Sequence, residues 1–389
     1  MKKKISKQII KALIKTLHKK KCSLHEPWFD RSEIKYLENA IKQNSVSTYG
    51  KETKIFESKI KKYTGSKYVY CMINGTSGIH LSLYLMGINH DSEVLIPALN
   101  YIASANATVY LGGIPHFIDV EEKTLGPDPV KLNAYLNNIA KIKNGVCYNK
   151  KTNRKIKILV LTHIFGHPSN LKEIIKVCKK FKIKIIEDAA EGLGTFYKKK
   201  HVGTFGTMGV LSFNGNKIIT TGGGGAILTN SKKIAKRIES VSKNSRIKHA
   251  WEYKYNELGF NYRMPSINAQ IGIAQIKKIK KFLNLKRKLF KKYKLAFKNI
   301  ENVKIFEEPD DCKSNYWLQT LILKKPNINL QKYILSETNK KGYGTRPVWN
   351  LVSKSNHLKK FPRMRLKTAS SLEKRIINLP SSPFLCNKR

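Results

Sequence analysis

The sequence predicts an α/β protein: a large, doubly wound, mostly parallel sheet domain followed by a smaller α+β domain at the carboxyl end. Short apolar runs alternate with helical stretches from about residue 69 to residue 213. These runs lack the polar alternation expected of a strand with one wet face, so helices should cover both faces of the sheet. From about Pro265 the sequence pattern changes and predicts long basic helices followed by short strands. The repeated strand–helix order indicates parallel strands joined by crossover helices.

The elements are predicted in the following order. An amphipathic helix is predicted near the start of the chain, and a second helix at 32–44. After residue 265, two long basic helices are predicted, and a strand follows them. The strands are predicted at 69–73, 93–97, 115–120, 156–161, 183–186, 209–213 and 317–323, and the helices between and after them at 76–86, 103–110, 130–138, 171–181, 267–283 and 286–298. We expect an N-terminal helical segment (1–50) that packs with the small domain, a large α/β domain (51–255) and a small α+β domain (256–389).

Composition excludes several classes of protein. With 389 residues and 41% hydrophobic residues, the chain can bury a sizeable core and is not disordered. No stretch approaches the roughly 18 uninterrupted apolar residues of a membrane span. Six cysteines are scattered without a C-x-x-C pair, which predicts reduced thiols, no metal site and a cytoplasmic protein.

The formal net charge of +49 invites a nucleic-acid interpretation. Two features argue against a dedicated nucleic-acid function: the charge is spread along the chain, and lysine far outnumbers arginine, the better phosphate and base reader. A basic surface would still attract an anionic substrate.

The most informative segment places Lys217 between a predicted strand and four glycines, Gly222 to Gly225. Upstream, Asp188 stands at the end of another apolar strand. A lysine can hold pyridoxal phosphate as a Schiff base, and a carboxylate can keep the pyridine nitrogen protonated so that the ring acts as an electron sink. Taken singly, the lysine is more often a solvated surface residue and the aspartate a helix cap, but the order of the motifs is the one this cofactor requires.

Four separated motifs resemble those of the DegT/DnrJ/EryC1/StrS sugar aminotransferases, a family of fold-type I pyridoxal phosphate enzymes. They begin at Asn74 (NGTSGIHL), Glu187 (EDAAEGLG), Ser212 (SFNGNK) and Asn261 (NYRM), and the similarity extends from about residue 25 to residue 382. The match is closest to the branch that makes UDP-linked 4-amino-4,6-dideoxy N-acetyl sugars on the way to bacillosamine and legionaminic acid. One departure is Ser240-Val241-Ser242-Lys243, where that branch has a threonine-rich segment.

The resemblance implies roles for individual residues. Lys217 would be the catalytic residue, and its presence separates transaminases from the family's dehydratases, which have histidine there. The cofactor would also contact Asp188, Glu191 near its phenolic oxygen, and Tyr101 on its ring face. Its phosphate would lie at a helix N-terminus, bound by Thr76, Ser77, Ser212 and Asn261 of a neighbouring subunit. Substrate contacts are predicted at Ser47, Tyr49, His163 and Arg346, although a loop histidine such as His163 is more often satisfied within the protein.

These motifs imply a homodimer with shared active sites that transfers an amino group from glutamate to a UDP-linked 4-keto-6-deoxy-N-acetylhexosamine, for surface glycan or nonulosonic acid biosynthesis. Two alternatives remain open from the sequence. One is the same reaction on a GDP- or dTDP-linked 4-keto-6-deoxyhexose. The other is a basic, non-catalytic binding protein on the same fold, against which the joint presence of Lys217, Asp188 and Ser212 argues.

Overall fold

The computed structural model describes residues 2–17 and 21–386. Three helices come first: α1 (Lys2–Thr16), α2 (Arg31–Lys42) and α3 (Glu52–Thr64). An alternating region follows, with β1 (Tyr68–Met72), α4 (Gly75–Leu85), β2 (Ser92–Pro97), α5 (Ala103–Tyr110), β3 (Ile114–Ile118), α6 (Pro129–Ile139), β4 (Ala140–Lys143), β5 (Val146–Asn149), β6 (Lys155–Thr162), α7 (Leu171–Lys180), β7 (Lys184–Asp188), β8 (Phe196–Tyr197), β9 (Lys200–His201), β10 (Met208–Ser212), β11 (Gly225–Thr229), α8 (Lys232–Val241), β12 (Arg246–Ile247) and β13 (Lys254–Tyr255).

The remaining elements build the carboxyl-terminal part. They are α9 (Ser266–Lys277), α10 (Ile279–Phe297), β14 (Val303–Ile305), β15 (Cys312–Lys313), β16 (Gln319–Leu323), α11 (Ile328–Lys340), β17 (Arg346–Pro347), α12 (Lys367–Glu373) and β18 (Ile376–Leu379). Short 3₁₀ turns occur at Ile164–Gly166, Val352–Lys354, Asn356–Leu358 and Pro383–Cys386. Among the described residues, no helix is both long enough and apolar enough to cross a bilayer.

The central sheet has nine strands, and its main path runs β1-β11-β10-β7-β6-β2-β3. Strands β10, β7, β6, β2 and β3 pair in parallel, whereas β11 is antiparallel to both of its neighbours. The predicted α/β class with a mostly parallel sheet is therefore confirmed. After β3 the chain returns to the other side of β2 to form β6, so the strand order reverses between β2 and β6. Ligands of open α/β sheets collect at such a switch point, outside the carboxyl ends of the strands.

Two hydrophobic cores meet along α10, whose first residues belong to one and whose later residues belong to the other. The larger one contains the central sheet and its helices, and the smaller one joins α1 to α10, α11 and the four-stranded sheet β14-β16-β18-β17. Helix α2 instead lies against α9, where Gln275 Nε2 donates to Glu33 Oε1 at 2.7 Å. The two cores are in keeping with two domains, while the boundaries at residues 50 and 255 stay a prediction.

The structure moves one predicted helix boundary and adds elements that the sequence did not predict, among them the helices α3, α8, α11 and α12 and several short strands. The basic helices α9 and α10 meet at Lys278, not near residue 284, and the Lys278 ammonium pairs there with Asp30 and Glu33 of the α2 region. Strand β11 and the hairpin β4–β5 were not predicted. Both follow glycine- or asparagine-containing stretches that are typical of turns, and only pairing with a neighbouring strand makes them extended.

Helix α1 provides a direct test of the second core. Ile9 is fully buried there, whereas Ile14 of the same helix is 58% exposed. We predict that Ile9→Ala lowers the free energy of unfolding by about 2–4 kcal/mol, because it removes buried methyl groups and leaves a cavity. The matched variant Ile14→Ala should change it by less than about 0.5 kcal/mol. Urea unfolding followed by circular dichroism measures both, and equal losses would contradict the packing of α1.

Candidate active site

A cavity of about 320 Å³ opens where the strands of the central sheet end. Residues that follow the carboxyl ends of five strands line it: Asn74 after β1, Tyr101 after β2, Thr162 of β6, Asp188 of β7 and Ser212 of β10. Because β2 and β6 flank the point where the strand order reverses, the cavity lies where the sheet topology predicts a ligand. Further lining residues are Gly75, Thr76, Ile79, Asn100, Ala103, Ala190, Glu191, Asn214, Asn216, Lys217, Trp317 and Trp349.

The carboxylate of Asp188 lies at the buried end of this cavity. Its Oδ2 accepts a hydrogen bond from the Ser104 hydroxyl at 2.9 Å, and its Oδ1 accepts one from the Ala190 N–H at 3.2 Å. Burial raises the pKa of Asp188, while these hydrogen bonds and the charge of Lys217 act in the opposite direction. A buried carboxylate held on both oxygens is well suited to stabilise a cationic ring nitrogen placed against it.

The amine of Lys217 shares the cavity with Asp188. Its Nζ lies 3.4 Å from Glu191 Oε1 and 3.8 Å from the ring centroid of Trp317, and the side chain is only 13% exposed. The loop is fixed from two directions, since the Lys217 N–H donates to the Asn214 carbonyl at 2.9 Å and the Trp317 indole N–H donates to the Asn216 carbonyl at 2.6 Å. The reactive amine is therefore held between an anion and an aromatic face.

Glu191 faces the same amine from the loop after β7. Its other oxygen, Oε2, accepts a hydrogen bond from the Phe165 N–H at 2.7 Å. Burial raises the pKa of Glu191 to about 7, against the opposing charge of Lys217. The carboxyl group can thus gain or lose a proton near neutral pH while it stays in contact with the lysine.

The amino end of α4 forms the opposite wall and is suited to an anion. Asn74 caps the helix by accepting from the Ser77 N–H at 2.8 Å, and Gly75 and Thr76 line the cavity beside Ser212. A Cβ atom on Gly75 would lie 3.3 Å from the Cβ of Ser212, so glycine allows the serine to approach the helix end closely. Helix N-termini with nearby hydroxyl groups bind phosphate through N–H groups and the helix dipole.

The glycine run Gly222 to Gly225 lets strand β11 pack closely behind the cavity. A Cβ on Gly225 would lie 2.7 Å from the carbonyl carbon of Asn74, so this glycine lets β11 pack against the turn that begins α4. None of Gly222 to Gly225 lines the cavity, and Gly222 has a left-handed φ of 81°. The glycine run therefore determines the packing of the backbone behind the cavity and contributes no lining residue.

Of the predicted cofactor ligands, the structure brings Thr76, Tyr101, Asp188, Glu191, Ser212 and Lys217 into one cavity. Ser77 is not among the lining residues, because its hydroxyl donates to the Asn74 carbonyl at 2.9 Å inside the first turn of α4. Tyr101 lies at the mouth, half exposed, with its ring 6.0 Å from that of Trp349.

The predicted substrate contact of His163 is not supported by its position. The ring is fully buried behind the sheet edge, where Nε2 lies 3.1 Å from Glu187 Oε2 and Nδ1 accepts from the Ser169 N–H at 3.1 Å. Glu187 also accepts hydrogen bonds from backbone N–H groups of residues 203, 205 and 206. Both nitrogens of His163 are thus engaged, so in this arrangement the histidine supports the loops and leaves no atom for a substrate.

Asn261 and Tyr49 lie in a separate cleft that carries several basic side chains. Its walls include Lys243, Arg246, Lys248 and Arg263. Ser47 is exposed next to Tyr49, and its hydroxyl accepts from the Tyr49 N–H at 3.4 Å. None of these residues lines the cavity of Lys217.

Arg346 lies on the wall of a further cavity. Its guanidinium donates to Asn339 Oδ1 and to the Thr345 carbonyl, both at 2.8 Å. The predicted substrate contacts therefore occupy three different places, and those of Ser47, Tyr49 and Arg346 stay predictions.

Sequence reasoning missed two residues that shape the site. Ser104 orients Asp188, and Trp317 covers Lys217. Trp349, which forms the wall beside Tyr101, ends the segment that begins at the predicted contact Arg346. The chain has four tryptophans, and two of them, in the predicted small domain, reach this cavity. A tryptophan at the start of a predicted strand was the only available signal, and it does not tell which cavity the ring enters.

The residues present fit pyridoxal phosphate. The cavity joins a lysine amine, a buried carboxylate and a helix N-terminus with hydroxyl groups, which match the aldehyde, the pyridine nitrogen and the phosphate of that cofactor. Among the described residues no group of three or more His, Cys, Asp or Glu side chains is arranged to hold a metal ion.

Comparison with known proteins agrees with this site. A family model described as the DegT/DnrJ/EryC1/StrS aminotransferase family matches residues 27–389. The chain is 32% identical over 372 residues to a GDP-perosamine synthase of Escherichia coli O157:H7, covering 94% of each chain. It is 29% identical over 354 residues to a UDP-4-amino-4,6-dideoxy-N-acetyl-beta-L-altrosamine transaminase of Campylobacter jejuni, covering 90% of each.

The fold also matches solved structures. An aminotransferase of Helicobacter pylori involved in the biosynthesis of pseudoaminic acid superposes with a TM-score of 0.83 at 22% identity, covering 92% of this chain and 93% of that one. At that identity the likeness establishes the fold, while the family match over nearly the whole chain establishes the chemistry. The chain belongs to the DegT/DnrJ/EryC1/StrS aminotransferase family and is a pyridoxal-phosphate-dependent aminotransferase.

Proposed function

We propose that this protein transfers the amino group of glutamate to carbon 4 of a UDP-linked 4-keto-6-deoxy-N-acetylhexosamine. The observation that carries the proposal is the shared cavity of Lys217 and Asp188 at the switch point of the sheet. The motifs of the chain resemble the branch that makes such 4-amino sugars, and a nucleotide-sugar transaminase is among the named relatives.

Pyridoxal phosphate, when bound, supplies an aldehyde that captures amines and a ring that withdraws electrons from the captured carbon. Asp188 would hold the protonated ring nitrogen, and its hydrogen bonds from Ser104 and Ala190 fix its direction beforehand. Thr76 and Ser212 would hold the phosphate at the amino end of α4. Tyr101 would contact the ring face.

Lys217 would both hold the cofactor and, once displaced by substrate, move a proton between the C4′ atom of the cofactor and C4 of the sugar. Its surroundings support the second task. The carboxylate of Glu191 and the face of Trp317 lie on either side of the amine, so a displaced lysine keeps favourable partners in the cavity. A histidine at this position would suit the family's dehydratases, and lysine favours transamination.

A second candidate substrate is a GDP-linked 4-keto-6-deoxyhexose. The identity of 32% to a GDP-perosamine synthase favours it, although the margin over the 29% to the UDP-sugar transaminase is small. Both substrates carry a diphosphate and a 4-keto sugar, and the net charge of +49 would attract either.

We also propose a homodimer in which each active site is shared. Asn261 lies in the basic cleft with Lys243, Arg246 and Arg263, away from its own Lys217. If the family arrangement holds, this cleft faces the cavity of the partner subunit, where the amide and the positive charges would meet the cofactor phosphate and the diphosphate of the substrate.

A substrate panel tests the reaction. Purified protein loaded with pyridoxal phosphate should move nitrogen-15 from labelled glutamate into one member of a set of UDP-, GDP- and dTDP-linked 4-keto-6-deoxy sugars, as read by mass spectrometry. We expect the UDP-linked N-acetyl sugar to react fastest. Lys217→Ala should slow the transfer by roughly a thousandfold or more, because the proton carrier is lost.

The matched control is Lys62→Ala, which removes an exposed lysine of α3 and should leave the rate unchanged. Preference for the GDP-linked sugar would replace the first substrate with the second. An inert wild-type protein on all members of the panel would contradict the proposed function.

Subunit mixing tests the shared site. Lys217→Ala and Asn261→Ala homodimers should each be impaired, and a mixture that exchanges subunits should regain activity. A mixed dimer holds one cavity with both residues intact and one with neither, so up to about half of its sites work. Native mass spectrometry measures the exchange. If mixed dimers form and no activity returns, Asn261 does not act across the interface.

A further inference from the structure

A second cavity, of about 460 Å³, adjoins the one that contains Lys217. The two share three lining residues, Asn216, Trp317 and Trp349. His25, from the segment between α1 and α2, lies on the wall of the second cavity. The segment around His25, near the amino end of the chain, therefore lies next to the cavity that contains Lys217.

The position of His25 is fixed by hydrogen bonds on both sides of it. The Ser381 N–H donates to the Leu24 carbonyl at 2.7 Å, and the Glu26 N–H donates to the Ser382 hydroxyl at 2.8 Å. Lys286, fully buried, adds a clamp by donating to the carbonyls of Trp317 and Ser381 at 2.9 and 2.6 Å. The backbone that carries the imidazole is thus bonded to Ser381 and Ser382, and Lys286 joins Ser381 to Trp317, which lines the active-site cavity.

Both ring nitrogens of His25 are buried, and within the described residues neither has a hydrogen-bond partner. Two other buried histidines engage both ring nitrogens: His163, and His116, which contacts Glu93 and Tyr135 at 2.9 and 2.8 Å. Among the residues that the structure describes, His167 leaves only Nε2 without a partner, since its Nδ1 lies 2.9 Å from the Ser314 hydroxyl. An unpaired buried polar group is costly, so a structure that leaves two on one ring calls for a partner from outside the chain.

The charge of the ring narrows the chemistry of that partner. Burial lowers the pKa of His25 well below its ordinary value, and the charges of Lys286 and Lys217 lower it further. The ring is therefore neutral at physiological pH and offers one N–H donor and one acceptor. A phosphate or carboxylate would favour a cationic partner, whereas a hydroxyl or an amide matches a neutral imidazole.

We propose that His25 is a specificity-determining residue that hydrogen-bonds an uncharged substituent of the sugar ring, a hydroxyl or acylamino group, while carbon 4 faces Lys217. The proposal rests on the proposed function. It assigns the second cavity to a substituent of the sugar, and it predicts that the amino donor, which reacts before the sugar enters, does not use His25.

The test compares His25→Phe with His25→Gln in the two half-reactions. His25→Phe keeps a ring of similar size and removes both nitrogens, so KM for the nucleotide sugar should rise by about tenfold, the value of one neutral hydrogen bond. His25→Gln retains a donor and an acceptor and should recover part of that loss. The glutamate half-reaction, followed by the absorbance of the bound cofactor, should stay at the wild-type rate in both variants.

Analogues of the preferred sugar, each with one ring substituent replaced by hydrogen, locate the contact. The wild type should lose affinity for one analogue that His25→Phe binds no worse than the parent sugar. His90→Phe is the matched control, since the His90 side chain is 83% exposed and the rate should not change. Thermal unfolding confirms that each variant is folded.

An unchanged KM in His25→Phe, or an equal loss in the glutamate half-reaction, overturns the proposal. Those outcomes leave the proposed function standing, provided that the wild-type protein converts a sugar of the panel. If the wild-type protein converts no sugar of the panel, the result contradicts both the proposed function and the proposed role of His25.

Discussion

The burial of the Lys217 amine in one cavity with two carboxyl groups, of which it contacts that of Glu191, is the constraint on which the site depends. Asp188 and Glu191 belong to the end of β7 and the loop after it, and Lys217 to the loop after β10, a parallel neighbour of β7 in the sheet. Burying these charges is tolerable only because each has partners: Ser104 and Ala190 for Asp188, Phe165 and the lysine itself for Glu191. The sheet topology creates the cavity, and these hydrogen bonds make its charges stable.

The carboxyl-terminal part of the chain completes the site. Trp317 covers the lysine, and its backbone is tied through Lys286 to Ser381, which in turn holds the segment that carries His25. Helix α1 belongs to the same second core as α10, so the stability of the amino end is linked to the part of the chain that positions Trp317. The position of Trp317 over Lys217 and the packing of the second core are therefore coupled through a few buried polar bonds.

Sequence reasoning located the residues whose position follows from strand ends. Asp188 was expected at the end of an apolar strand, and Ser212 and Lys217 were identified from the motif that begins where another strand ends. Sequence reasoning failed where side-chain direction decides, as for the hydroxyl of Ser77, which turns into the first turn of α4. For His163, the ring lies as the alternative interpretation expected, satisfied within the protein. Sequence reasoning could not identify Ser104 or Trp317 either. Their side chains reach the cavity through the packing of distant elements, and the local sequence pattern does not predict that packing.

The most direct measurement of the central claim is the covalent mapping of the cofactor. Protein loaded with pyridoxal phosphate is reduced with borohydride and digested, and its peptides are sequenced by mass spectrometry. The account predicts a pyridoxyl group on Lys217, since among the described lysines only its amine shares a cavity with Asp188 and the amino end of α4. A label on another lysine, or the same labelling of Lys217→Ala as of the wild type, would contradict it.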